Sequence, residues 1–170
     1  ALRQPVKASS TQAESITGAW NTRFLVDGHT PYLMNAAQGL HSVAYISDLR
    51  QSPILTIDLE KVVSLSSLHL HAVEQSDTVP QAYAGDLGIP QHLKIEGAIR
   101  EDFSDAAVLL ENQAATLNDT GPIMMWNIPE TACRYIRLSE TAPTASFRIG
   151  FAEIELFSNN ENVARGKSVS

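Results

Sequence analysis

Residues Ser52–Val73 read SPILTIDLEKVVSLSSLHLHAV, and the spacing of their apolar side chains decides the fold class. Leu55, Ile57 and Leu59 recur at every second residue, as do Leu68, Leu70 and Ala72. Two is the period of a strand with one buried face. The polar stretch between the two runs predicts a short turn joining two antiparallel strands. The alternation returns at His92–Ala98, where Leu93 and Ile95 alternate with Lys94 and Glu96. Further strands are predicted over Ala106–Glu111, Ile123–Ile128, Arg134–Ser139 and Ile149–Phe157, and no segment keeps a helical period over three turns. Strands bounded by Gly, Pro and polar turn residues predict an all-β chain in which two antiparallel sheets stack face to face. Leu55, Ile57, Leu59, Leu68, Leu70, Leu93, Ile95, Ile136, Leu138, Ile154 and Leu156 are the expected core.

Long irregular segments separate these strands. Ala1–Thr11 is a polar opening with a short strand expected around Val6. Gln12–Ala44 carries Gly18, Asp27-Gly28, Pro31 and Gly39, and Glu74–Gln91 carries Pro80, Gly85, Gly88 and Pro90. Both read as loops, and loops of this length are usually functional or stabilised by an ion. Ala114–Gly121 is a third. Function is therefore expected in the loops, on a rigid sandwich.

A chain of 170 residues is one domain, able to bury roughly two-thirds of its unfolded surface without covalent staples. Its one cysteine, Cys133, excludes an internal disulfide framework. The net charge of -7, with 12 basic residues scattered among 19 acidic ones, argues against nucleic acid and anionic membranes as partners, because phosphate backbones reward a Lys/Arg patch. No apolar run approaches the roughly 20 residues of a membrane helix. The start at Ala1, without a methionine or a signal peptide, suggests a processed or excised piece of something longer. The closing ARGKSVS, Ala164–Ser170, matches the opening ALRQPVK, Ala1–Lys7, in spacing and polarity when Val169 is set on Val6. Residues 1–158 are thus expected to form the domain, and 159–170 a linker and the start of a second copy.

Several segments, in this order, resemble the galactose-binding-like jelly rolls, the group of discoidin domains, coagulation factor 5/8 type C domains and many bacterial carbohydrate-binding modules. They are PVKASS at Pro5–Ser10, VDG at Val26–Gly28, ILTIDL at Ile54–Leu59, and LKIEG at Leu93–Gly97 followed by EDFSD at Glu101–Asp105. RYIRL at Arg134–Leu138, GFAEIELF at Gly150–Phe157 and NVARGKSV at Asn162–Val169 complete the set. The resemblance covers nearly the whole chain and implies an antiparallel jelly-roll β-sandwich. Two regions depart from it: where such domains usually carry Trp, this chain reads LHSVA at Leu40–Ala44 and QSPI at Gln51–Ile54. The insertion from Pro31 to Asp48 is also longer, so the family's ligand does not carry over with the fold.

A carboxylate such as Glu153, on a strand face with Phe151 and Phe157, is costly unless neutralised, and a hard cation with oxygen ligands is one way to neutralise it. On the residues alone, Asp27 could equally make an Asx turn and Glu153 a salt bridge. The resemblance implies a structural calcium ion tying the Asp-Gly loop to the last strand. By position it implicates the Leu25 carbonyl, the Asp27 carboxylate, the Thr30 oxygens, the Ala152 carbonyl and the Glu153 carboxylate.

Other chemistry is thin. His69 and His71 form a His-x-His pair on one strand face, a spacing that can ligate zinc, but spacing identifies no third ligand, and a solvent-facing or hydrogen-bonded pair is the preferred reading. No serine lies in a GxSxG elbow, and Cys133, just before a strand, reads as a small packed hydrophobe. Asn118 opens an Asn-Asp-Thr glycosylation sequon, a match short enough to arise by chance. Trp126 and Tyr135 lie in predicted strands and are expected to pack there.

Trp20, Tyr32, Tyr45, Tyr83 and Phe147 are expected in loops, where an aromatic ring can stack on a sugar while polar neighbours fix its hydroxyls. His41, Glu74, Asp77 and Arg148 are the polar candidates. The expected function is a non-catalytic carbohydrate-binding module, secreted or on the cell surface, whose partners are a glycan or polysaccharide and other domains of the same chain. The second reading is a spacer domain packing against a catalytic domain. Lipid binding is disfavoured by the acidic charge and the lack of terminal cysteines.

Overall fold

In a computed structural model of the chain, residues 22–28, 45–46, 54–72, 87–88, 92–113, 123–141 and 148–170 are described. A 3-10 helix spans Thr22–Val26, and the strands are β1 (Tyr45–Ile46), β2 (Ile54–Ala72), β3 (Leu87–Gly88), β4 (His92–Ala98), β5 (Ala107–Gln113), β6 (Ile123–Glu140), β7 (Arg148–Ser158), β8 (Glu161–Asn162) and β9 (Ser168–Val169). Among the described residues there is no α-helix.

The predicted hairpin at Ser52–Val73 is instead one strand, β2, of 19 residues. Likewise the segments predicted separately over 123–128 and 134–139 are one strand of 18 residues, β6. At about 3.3 Å per residue β2 would extend about 60 Å, well beyond the width of a domain whose radius of gyration is about 15 Å. Both strands must bend, and the β2–β6 register slips between Asp58 and Val63 and again between Leu65 and Ser67. At the first slip Glu60 adopts φ 67°, and its N–H donates to Asp58 Oδ1 at 2.7 Å. The polar residues read as a turn are therefore a corner within one strand.

That corner makes the two layers. The first half of β2 pairs with the last half of β6, which pairs with β4, which pairs with β5. The second half of β2 pairs with β7 on one side and the first half of β6 on the other. Hydrogen bonding thus runs continuously, in the order β1-β7-β2-β6-β4-β5, through both layers. All the β2–β6, β2–β7 and β4–β6 pairs are antiparallel, and among the described strands only the short β3 lies parallel to its neighbour β7. The eleven side chains expected in the core are all buried, none more than 2 % exposed, and they form one cluster with Leu25, Val26, Tyr45, Leu65, Met124, Phe151 and Val169.

Residues 159–170 are not a linker. Asn159 and Asn160, at φ 51° and 63°, close a two-residue turn of the kind that suits Asn and the twist of a hairpin, so that β8 folds back on the end of β7. The chain then crosses to β2, where Val169 pairs with Ile57. Thr56 and Ser170 exchange backbone hydrogen bonds of 2.7 and 2.8 Å. Ala164 and Val169 are completely buried, so this segment closes the sandwich to which it was expected to be appended.

Candidate functional site

Seven of the expected ligand residues, Trp20, Tyr32, His41, Glu74, Asp77, Tyr83 and Phe147, lie outside the described residues. Arg148 opens β7. Tyr45 requires a correction: it belongs to β1, and its side chain is completely buried in the core, which removes it from any stacking surface. Loop composition could not reveal this, because the pairing of β1 with β7 is made across the fold.

The strand ends that carry three of the expected loops nevertheless meet. Tyr45 and Ala72 each pair with Phe151, Ile46 with Gly150, Gly88 with Ile149 and Leu87 with Arg148. Segments 31–47, 74–90 and 139–148 therefore start or finish within a few residues of the beginning of β7. Backbone pairing fixes that end of the sandwich as a common platform.

Beside it lies the expected cation cradle. The 3-10 helix is anchored at its start by the Thr22 hydroxyl, which donates to the Val169 carbonyl at 3.3 Å. At its end the Val26 carbonyl accepts the Gly166 N–H. It delivers Asp27, half-buried, and Gly28 next to β7. Gly28 N–H donates to Glu153 Oε1 at 3.1 Å. Gly28 sits at φ +84°, and a Cβ there would come within 2.6 Å of Arg165 Nε. The positive φ is what favours glycine, since the flexible end of Arg165 can move aside.

Glu153 is completely buried, and among the described residues its Oε2 has no hydrogen-bond partner. Burial pushes its carboxyl up to about 9, the Asp27 and Glu155 charges push the same way, and the Gly28 N–H and the Arg165 cation pull against them. An orphaned, buried carboxyl oxygen next to a second carboxylate is oxygen chemistry suited to a hard cation. These residues fit calcium; Arg165 already provides part of the positive charge. Thr30 lies outside the described residues.

Sequence reasoning missed three arrangements. Glu155 accepts from His71 Nε2 at 2.9 Å and lies 3.4 Å from His69 Nδ1. Arg134 grips Asp58 with two bonds of 2.8 and 2.9 Å. Arg137 bonds Glu96 at 2.8 and 2.9 Å while its guanidinium lies 4.3 Å over the Phe103 ring. All three are cross-strand pairs, visible only once register is known. Cys133 is completely buried, as expected, and burial pushes its thiol up to about 11, which suppresses the thiolate a nucleophile needs.

No protein-family model matches this chain, and no curated protein matches it. Solved structures do, at low identity and over most of both chains. A module named CpGH89CBM32-5 from Clostridium perfringens, in complex with GalNAc-β-1,3-galactose, is similar at a TM-score of 0.61 and 12% identity, covering 91% of this chain and 94% of its own. A chitosan-binding module of a chitosanase/glucanase from Paenibacillus sp. IK-5 gives 0.63 and 11%, covering 92% and 96%. A family 32 carbohydrate-binding module of the C. perfringens protein NanJ, in complex with galactose, gives 0.60 and 13%, covering 89% and 91%. The fold is that of the galactose-binding-like, discoidin-type β-sandwiches.

Proposed function

We propose that this chain is a non-catalytic carbohydrate-binding module of a larger secreted or surface protein, with its glycan site on the loops at the start of β7. The observation that carries the reading is the gathering of strand ends around 148–151, on a fold whose solved relatives include modules bound to galactose and to GalNAc-β-1,3-galactose. Trp20, Tyr32, Tyr83 and Phe147 would provide ring faces, and His41, Glu74, Asp77 and Arg148 the directional hydrogen bonds that separate epimers. Calcium would be held by the Leu25 and Ala152 carbonyls, the carboxylates of Asp27 and Glu153 and the oxygens of Thr30. It would neutralise the buried carboxylates and so fix the loop that follows the 3-10 helix.

The loss of Tyr45 from the apex favours the second reading, a spacer that docks on another domain of its parent. A glycan array probed with and without calcium separates the two. The module reading expects a family of related glycans retained with calcium. Retention of none, in both conditions, overturns it in favour of the spacer.

A further inference from the structure

We propose that the edge of β2 at Thr56–Asp58 is a strand-exchange site, which holds the closing segment Ala164–Ser170 and also accepts the opening segment Ala1–Lys7 of the same chain. Val169 lies against Ile57 and Ser168 against Asp58, and Thr56 exchanges two backbone hydrogen bonds with Ser170. Main-chain pairing of this kind provides affinity without regard to sequence, and pockets for particular side chains provide the selection. Within Ala164–Ser170 only Ala164 and Val169 are buried. These are the two residues that ARGKSVS shares with ALRQPVK, five positions apart in both. The likeness between the two segments is therefore confined to what the slot selects.

The opening segment can reach the slot. The Thr22 hydroxyl donates to the Val169 carbonyl at 3.3 Å, so residue 22 stands beside β9. Residues 8–21 connect Lys7 to Thr22, and at up to about 3.3–3.6 Å per residue that length is ample to turn back and run antiparallel to β2. With Val6 in the place of Val169, Lys7 stands opposite Thr56 and Pro5 opposite Asp58. Pro5 would open the added strand, a position at which a sheet tolerates proline, as Ser168 opens β9.

Three differences make the closing segment the resting occupant. Gly166 sits at φ +73° with open space where a Cβ would be, whereas Arg3 would carry the strain of an L-residue there. Lys167 Nζ lies 2.6 Å from Glu60 Oε2, and Gln4 has no charge to offer. Pro5 has no N–H for Asp58. Exchange also changes the surroundings of Gly28. The Arg165 guanidinium packs over Gly28 and pulls the Glu153 carboxyl downward, and Leu2 in its place withdraws that charge. The slot thus has a second state, in which the closing segment is released and the cation beside Glu153 is gone.

Disulfide trapping in the full chain tests this. Directly paired residues of adjacent strands lie within the reach of a disulfide, and Cys133 is buried, which keeps it from competing. Thr56→Cys/Ser170→Cys should oxidise readily within one chain. Thr56→Cys/Lys7→Cys should also close within one chain, more slowly than that pair but faster than Thr56→Cys/Gln4→Cys, whose thiols are out of register. Adding Gly166→Ala weakens the closing segment without touching the core. It should speed the Lys7 link about 5- to 30-fold, the Boltzmann factor of the strain an L-residue carries at positive φ, and Val6→Asp should abolish that acceleration. Equal rates for the Lys7 and Gln4 positions, no acceleration by Gly166→Ala, acceleration that survives Val6→Asp, or a disulfide that joins two chains instead of one would overturn the proposal.

Discussion

Gly28 donates its N–H to Glu153 Oε1 across 125 residues of sequence, and the bond closes the 3-10 helix onto β7. Because Gly28 has φ +84° and its missing Cβ would lie 2.6 Å from Arg165 Nε, Gly28→Ala must both strain the backbone and displace the guanidinium. The left-handed conformation alone costs about 1–2 kcal/mol for an L-residue. Urea denaturation of Gly28→Ala should show a loss of at least that size, with an unchanged slope; equal stability would mean the turn relaxes freely.

Calcium should stabilise the protein through the orphaned Glu153 Oε2. A ligand that binds only the native state adds about 2.7 kcal/mol at a hundredfold excess over its dissociation constant. Melting with calcium and with chelator should therefore differ for the wild type and agree for Asp27→Asn and Glu153→Gln. An unchanged wild-type midpoint would refute the site.

Acid should weaken the outer face of the β2–β6–β4 layer first. Arg134, bonded to both Asp58 oxygens, holds that carboxyl below its ordinary 3.8, helped by the Glu60 N–H and Lys167 and opposed by burial. For Glu96 burial is the largest influence and pushes upward, but Lys94 and Arg137 together outweigh it and hold the carboxyl below its ordinary 4.5. A folded value below the unfolded one contributes stability above the unfolded value and loses it as pH falls through the folded one. Denaturant midpoints should drop below about pH 4.5, the ordinary value for Glu96. Arg134→Ala and Arg137→Ala should be weaker at neutral pH and lose less on acidification, and a parallel acid response in all three proteins would exclude these pairs as its source.

Val169 should behave as a core residue despite its place near the end of the chain. It is completely buried and paired with Ile57. Val169→Ala removes buried methyl groups worth about 0.8 kcal/mol each and leaves a cavity besides, so a loss of about 2 kcal/mol is expected in denaturant titration. A neutral effect would restore the view of 159–170 as appended linker.

At the apex, Trp20→Ala or Tyr83→Ala should weaken binding to every accepted glycan. Asp77→Ala or Arg148→Ala should change which glycan is accepted, since an unpaired, desolvated polar group costs about 1–3 kcal/mol. Tyr45→Ala should instead lower stability, its ring being core. Calorimetry of each variant against the strongest array glycan checks this; if the first four bind like the parent, the site lies elsewhere.

Alternation of apolar residues determined, by itself, that this chain is all-β and which faces are buried, because side chains on a strand point to opposite sides with period two whatever the strand pairs with. It also marked Glu153 as a carboxylate in need of a partner, whereas Asp27 entered only through the family resemblance. Period two is silent on whether successive runs belong to one strand or two, and β2 and β6 were legible only as halves. It is equally silent on register, which sets Glu155 against His69, Arg134 near Asp58 and Val169 against Ile57. Tyr45 has the composition of a loop aromatic and the position of a core residue, because a two-residue strand carries too little pattern to announce itself. Contacts between residues from 76 to 147 positions apart depend on how the layers close. Only the tertiary structure could decide them.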